Sequence, residues 1–341
     1  MNSILQQHRI CLQFTLNNKN LRKVTKKMVK YFIKKIITLV IALLLVSLVI
    51  FVAFSLIPGD AAIAKAGFNA TPEKIQQIRQ EMGLNLPIYQ QYFNWISGVF
   101  KGDFGESFQY AGFSVGSLIS TKLPYTLLLT VITFIIILTG SIPLGIFAAK
   151  KRNSKANGFI MVTTQTVMAI PPFFLGMLIT YFFGIILKLF TPGRIPNPSE
   201  DIFSAFFFMI FPAVAIALPK ISMTAKFLKT AILGELNKDY VRTAYSKGNT
   251  DNGVLYKHVL KNSMIPTITF MGIIIADVIA NSIIIEKVFN IPGLGMLLIN
   301  GITNRDYPVV MASVLIIAGF IIVMNFIIDI LYKILDPRVK V

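Results

Sequence analysis

Apolar residues fall into six long runs, at about residues 36–57, 124–149, 158–190, 202–219, 264–285 and 309–332, separated by polar, basic or Pro/Gly-rich stretches. Runs near or above ~18 residues are long enough for a helix to cross a hydrocarbon core of about 30 Å. The pattern therefore predicts an all-α integral membrane protein with six transmembrane helices. Pro58-Gly59-Asp60 ends the first span, and Pro171-Pro172 predicts a kink in the third. Such a kink is tolerable where neighbouring helices satisfy the freed backbone groups. Gly272, Ala276 and Ala280 form a stripe of small residues suited to close helix packing in the fifth span.

Two of the connections carry patterns of their own. In the outer segment at 58–122, Thr71 predicts a helix cap with Pro72 at the first helical position. A second helix there is amphipathic, with Tyr89, Tyr92, Phe93, Ile96, Val99 and Phe100 on one face. It either lies in a membrane interface or packs over the mouth of the bundle. Between spans four and five, the loop 222–263 is polar and basic. Leu236, Tyr240, Val241, Ala244 and Tyr245 recur there at helical spacing, with Lys238, Asp239, Arg242 and Lys247 on the other side. Gly248 reads as a left-handed stop, and Thr250 or Asp251 as the cap of a second short helix over 252–262. Pattern alone fits either a docking knob or a solvated connector.

Composition leaves little room for a soluble domain: of 341 residues, 55% are hydrophobic, 14% are charged and 28 are Phe. A net charge of +18 would otherwise raise nucleic acid as a partner. The placement of the charge excludes it and points to membrane lipid. Of the 33 Lys and Arg, 24 lie in the tails and alternate connections, on one side of a six-span topology. The other side has nine, matched there by nine acidic residues. The positive-inside rule makes the basic side cytoplasmic, with both termini and the 222–263 loop on it. The expected organisation is a basic tail at 1–35, a first span at 36–57, the outer segment at 58–122, a five-helix core at 123–333 and a short cytoplasmic end at 334–341. The first span exceeds the apolar core of a signal peptide and has no clear cleavage site after it. Within the tail, residues 1–27 are read as an upstream start in preference to a true cytoplasmic tail.

Candidate chemistry is sparse. There is no phosphate-binding G-x-x-x-x-G-K-[ST], H-E-x-x-H or G-x-S-x-G, and the single cysteine, Cys11, permits neither a disulfide within the chain nor a Cys cluster. No catalytic site, metal site or cofactor is expected. His258 stands alone and is a poor metal ligand. An unpaired charge in mid-membrane costs at least ~2.5 kcal/mol, so Asp277 in span five must face the interior, be protonated or find a partner. It either lines a translocation path or makes an interhelical hydrogen bond with no substrate role, the second being preferred. Asn325 and Asp329, four apart in span six, read as an anchor for a neighbouring basic residue. The outer Pro292, Gly293 and Gly295 read as a turn.

Several stretches carry a family resemblance. Thr243-Ala244, Gly248 and His258-Val259-Leu260 resemble the EAA loop of ABC importer permeases. The flanking Asp239-Tyr240-Val241-Arg242 and Lys261-Asn262 resemble the peptide/nickel branch of that family. So do Met28-Val29-Lys30-Tyr31, the run from Gly83-Leu84 through Trp95 to Gly102-Asp103-Phe104-Gly105, Asn290-Ile291-Pro292-Gly293-Leu294-Gly295 and Arg305-Asp306-Tyr307-Pro308. The chain departs from the general pattern at Arg242, where the consensus has Glu, and at Lys261, where it has Pro; Pro266 is expected to make the missing turn. The resemblance implies the permease subunit of a type I ABC importer of oligopeptides or dipeptides in a bacterial inner or cytoplasmic membrane. It also implies a second related permease, two ATPase subunits that hydrolyse ATP and an extracellular substrate-binding protein. Tyr240, Arg242, Thr243, Ala244, Lys247, Gly248 and His258 would form the coupling helix against an ATPase. A nickel or metal-chelate importer is the nearest alternative. An ion-coupled secondary transporter and a membrane receptor or scaffold are the alternatives from other classes.

Overall fold

A computed structural model describes residues 32–56, 61–67, 70–110, 112–196 and 201–335. Most of the tail expected at 1–35, including Met28-Val29-Lys30-Tyr31, lies outside the described residues, as do Ile57 and residues 336–341. The described chain is helical; its only extended pairing is an isolated bridge between Glu106 and Ser114.

Helix α1 (Phe32–Ser55) is the first span. The outer segment follows as α2 (Ala61–Ala66), α3 (Pro72–Glu81) and α4 (Ile88–Phe100). The α3 cap is as the sequence predicts: Thr71 accepts from the Lys74 amide, and Pro72 occupies the first turn. Helix α5 (Val115–Lys150) starts well before the expected 124. Ser114 caps it by accepting from the Ser117 amide, and Pro124 lies inside it, so the helix outruns the apolar stretch that betrayed it.

The third span is bent far more sharply than a kink. Helix α6 (Lys155–Ala169) and helix α7 (Pro172–Ile179), which continues as a π-helical segment at Thr180–Ile186, meet at 98°. The cause is local. Ile170 and Pro171 each precede a proline, which disfavours the α region. Both are extended, with ψ of 124° and 140°.

Helix α8 (Ile202–Leu236) does not stop at 219. Its 35 residues span about 52 Å at ~1.5 Å per residue, well beyond a hydrocarbon core. Much of the supposed loop 222–263 is thus helix. Two short elements follow, α9 (Asp239–Ser246) and α10 (Asp251–Val254). A π-helical turn at Leu255–Val259 then carries α10 straight into α11 (Leu260–Phe289), giving one helical run from Asp251 to Phe289. The expected break at 262 and the turn at Pro266 are therefore absent. Pro266 sits inside α11, and the carbonyl it leaves without a donor belongs to the exposed Asn262. A short apolar helix, α12 (Leu294–Thr303), and the last span, α13 (Tyr307–Leu335), complete the chain. Among the described residues, five helical runs are long and apolar enough to cross a membrane, six if the bent pair counts as one span.

Three apolar clusters hold the bundle. One joins α5, α7, α8 and α11 around Phe208, Met209 and Phe289. Another joins the start of α5 to α11, α12 and the start of α13. The third packs α9, α10 and the π turn against the far ends of α5 and α8, through Ile146, Leu228, Ile232, Val241 and Val254. The small-residue stripe does pack closely at Gly272, where an added Cβ would lie 2.4 Å from Ile328 Cγ2 of α13. As expected, Asp329 anchors a basic residue: Lys35 Nζ donates to its Oδ2 at 2.6 Å. That bond joins the start of α1 to the end of α13, so both ends of the described chain lie on one side.

Candidate functional site: a helical knob and two buried carboxylates

The α9–α10 knob is built inward first. Val241 and Ala244 are buried in the third cluster. Tyr240 is half-buried and its hydroxyl donates to Glu235 Oε2 at 2.7 Å. Burial, with the Glu235 carboxylate beside it, pushes the Tyr240 phenol above its usual range. The end of α9 is closed by local bonds: the Gly248 amide donates to Tyr245 O at 2.9 Å and the Asn249 side chain to Ala244 O at 2.9 Å. Gly248 has φ of +81°, the left-handed stop predicted for it. Thr250, one of the two expected caps, accepts from the Gly253 amide at 3.3 Å.

The opposite face is open. Arg242, Thr243, Lys247, Gly248 and His258 are all exposed, along with Ser246 and Tyr245. The residues singled out by sequence thus divide in two. Tyr240 and Ala244 shape the knob from beneath, while the other five present its surface. Tyr245, expected on the buried face, is 43% exposed.

Asp277 has found a charged partner. Lys220 Nζ donates to its Oδ2, and the Asn281 side chain donates to its Oδ1 at 3.1 Å. Neither expectation for Asp277 included Lys220, which the apolar pattern placed in a cytoplasmic loop. Because α8 runs on past Pro219, Lys220 faces α11 instead.

Glu286 was missed. It has no exposed surface, and every polar contact it makes is to a neighbouring element. Its Oε1 accepts from the Thr126 hydroxyl of α5 at 2.6 Å. Its Oε2 accepts from the amides of Gly295 and Met296, in the first turn of α12, at 2.7 and 3.2 Å. Thr126 Oγ1 accepts in turn from the Leu294 amide at 2.8 Å. A carboxylate at a helix N-terminus meets unsatisfied N–H groups and the positive end of the helix dipole. The glycines make this fit possible: a Cβ on Gly293 would lie 2.4 Å from Glu286 Cδ, and one on Gly295 would lie 2.4 Å from Ile283 Cα. Pro292, Gly293 and Gly295 are therefore more than a turn, because they seat α12 on a buried acid. The sequence held a signal, an acidic residue closing an apolar run just before Pro-Gly-x-Gly. Asp306 plays a similar part. Buried at the start of α13, it accepts from the Ser107 hydroxyl and from the Gln109 amide at 3.2 Å.

Residues 141–341 match the model of the binding-protein-dependent transport system inner membrane component, and residues 28–130 match that of its N-terminal region. The chain belongs to this family. The permease is 36% identical over 296 residues to the oligopeptide transport system permease protein AppB of Bacillus subtilis (strain 168), covering 86% of this chain and 94% of that one. It is 33% identical over 293 residues to the probable peptide ABC transporter permease protein y4tP of Sinorhizobium fredii, covering 86% and 93%. To the glutathione transport system permease protein GsiC of Escherichia coli (strain K12) it is 33% identical over 294 residues, again covering 86% and 93%. It is thus a multi-pass bacterial inner-membrane protein and a permease of the type I ABC importer class, a transport subunit and not a catalytic one.

Proposed function

We propose that this permease carries peptides delivered by an extracellular binding protein, driven by two partner ATPases through the α9–α10 knob. The knob itself carries the reading. It is packed beneath on an apolar cluster shared with the ends of α5 and α8, and presents Arg242, Thr243, Lys247, Gly248 and His258 outward with basic character. A connector needs no such core. The names of the relatives, which include oligopeptide, peptide and glutathione systems, favour peptide cargo over nickel or another metal chelate.

In this reading the knob and both termini face the cytoplasm, α2–α4 and α12 face outward, and a second related permease completes the path. ATP binding draws the two knobs together. Each is fused through α8 and the 39-residue run ending in α11 to the membrane bundle, so the motion passes to the spans as a rigid-body rotation. Asp277 is a candidate for the wall of the path.

A single cysteine tests the coupling. In a Cys11→Ser background, Ser246→Cys places a thiol on the exposed face of α9 without touching its buried side. It is expected to crosslink to a co-purifying P-loop ATPase, with a yield that changes on adding nucleotide. Arg242→Glu should leave the chain in the membrane but weaken ATPase retention in detergent and abolish ATP-driven uptake. If no crosslink forms and Arg242→Glu transports at the wild-type rate, the knob is a connector and ion-coupled transport takes over as the working reading.

A further inference from the structure

Helix α4 has three chemically distinct faces and no charged residue in its 13 positions. One face packs on α1. Tyr92 shares a 2.9 Å hydrogen bond with the buried Ser47, and the Tyr92 ring meets Phe51 edge-on while Trp95 packs tilted against it. A second face is polar and exposed, with Gln90, Asn94 and Ser97. The third carries Tyr89, Phe93 and Phe100, at 60%, 65% and 77% exposure, touched at Tyr89 and Phe93 by the neighbouring Gln90 and Tyr92 of the same helix.

The height of α4 relative to α1 identifies what covers that third face. Ser47 and Phe51 lie two turns and one turn below Ser55, the end of α1, so α4 meets α1 about 6–12 Å below that end. The 24 residues of α1 span about 36 Å, a few Å more at each end than the hydrocarbon core requires. With α1 centred on the core, that contact is about 3–9 Å inside the hydrocarbon boundary, which overlaps the ~5–10 Å to which the apolar face of an interfacial helix is buried. At the same height α1 is itself apolar, with Leu48, Val49 and Val52 exposed. Helix α3 makes the contrast. It carries Glu73, Lys74, Arg79 and Glu81, and has no comparable stripe.

We infer that α4 is inserted in the leaflet at the C-terminal end of α1, with Tyr89, Phe93 and Phe100 among acyl chains and Gln90, Asn94 and Ser97 toward the headgroups. The partner is lipid, and the assignment holds whichever way the bundle is oriented; under the proposed topology the leaflet is the outer one. Insertion gives the outer segment a fixed height. The loop leaving α4 carries Ser107, which bonds the buried Asp306 at the head of α13, so the membrane surface is tied through α4 to the start of the last span.

The test is a depth measurement on the full chain, with the subunits that co-purify, in nanodiscs of phosphatidylethanolamine and phosphatidylglycerol. In the Cys11→Ser background, nitroxide labels are placed one at a time at Phe93→Cys, Phe100→Cys, Ser97→Cys and Gln76→Cys. Each is compared for collision with oxygen, which concentrates in acyl chains, and with a water-soluble nickel chelate. Labels at 93 and 100 should favour oxygen several-fold more than the label at Gln76 on α3, with the label at 97 between them. Equal access of the chelate at 93, 100 and 76 would place α4 in water. Poor access of both reagents at 93 and 100 would put a protein partner on the stripe. Either result overturns the inference.

Discussion

A carboxylate with no exposed surface must have its lone pairs matched by donors, and at Glu286 each oxygen is matched from a different helix. Replacing it by Ala would strand the Gly295 and Met296 amides and the Thr126 hydroxyl in the protein interior. Hydrogen bonds to a charged group contribute about 1.5–3 kcal/mol each, so Glu286→Ala should cost ~3 kcal/mol or more. The measurement is thermal unfolding of the purified protein in detergent, where a large fall in midpoint is expected. Glu286→Gln keeps one acceptor oxygen for α12 and should fall between wild type and Ala. The Lys220–Asp277 pair makes a different demand. Lys220→Met leaves Asp277 without its counter-charge, with only the Asn281 side chain still donating to it, and should lower the unfolding midpoint. Asp277→Asn leaves Lys220 in the same position. The double variant removes both charges and should recover most of the stability lost in either single one, as in a double-mutant cycle. If the double variant is no better than the singles, the two residues do not depend on each other.

At the scale of elements, Gly248 sets the direction of the knob. Its φ of +81° lies where a β-branched residue is strained, although no atom stands within 4 Å of an added Cβ. Gly248→Val should thus cost ~1–2 kcal/mol from backbone strain alone. That is too little to prevent insertion but enough to misdirect α9 against its neighbours. Normal membrane levels with lost ATP-driven uptake are expected; uptake at the wild-type rate would separate the knob from coupling. This stop was legible in the sequence because a glycine, a capping Thr250 and a periodic run are all local signals. The same holds for the Thr71-Pro72 cap and for the Lys35 anchor at Asp329, foreseen as an acidic residue waiting for a base. What sequence hid were the places where helices ignore their apolar boundaries. Helix α8 continues through Pro219 because its tertiary contacts override the local breaker, and that continuation moves Lys220 from a loop to the partner of Asp277. Helix α11 absorbs Pro266 likewise. The sharp bend at Pro171-Pro172 was legible as a position but not as an angle, since the angle depends on two successive residues taking extended ψ. Glu286 stayed unread because its donors come from residues 126, 295 and 296, and periodicity carries no information on such a meeting.

The orientation of the whole molecule follows from which ends share a side. Val115 and Ile119, at the head of α5, share a cluster with Val309 and Val310 at the head of α13. Ile146 and Ala149, at the other end of α5, share one with Val241 and Ala244 of the knob. The knob therefore lies opposite the heads of α5 and α13, on the side where Lys35 and Asp329 meet. The basic connection after α5, with Lys150, Lys151 and Arg152, is on that side too. A cluster of exposed cations beside the ends of spans is retained on the cytoplasmic side during insertion. Helix α3 and the end of α12 should then face out. Single cysteines in the Cys11→Ser background can read this directly. Gln76→Cys and Thr303→Cys are both exposed positions and should react with an impermeant maleimide in intact cells. Asn153→Cys and Ser246→Cys, exposed on the opposite side, should react only after lysis. Labelling of Ser246→Cys from outside would invert the molecule, leaving the knob beyond the reach of any cytoplasmic ATPase and removing the physical basis for coupling.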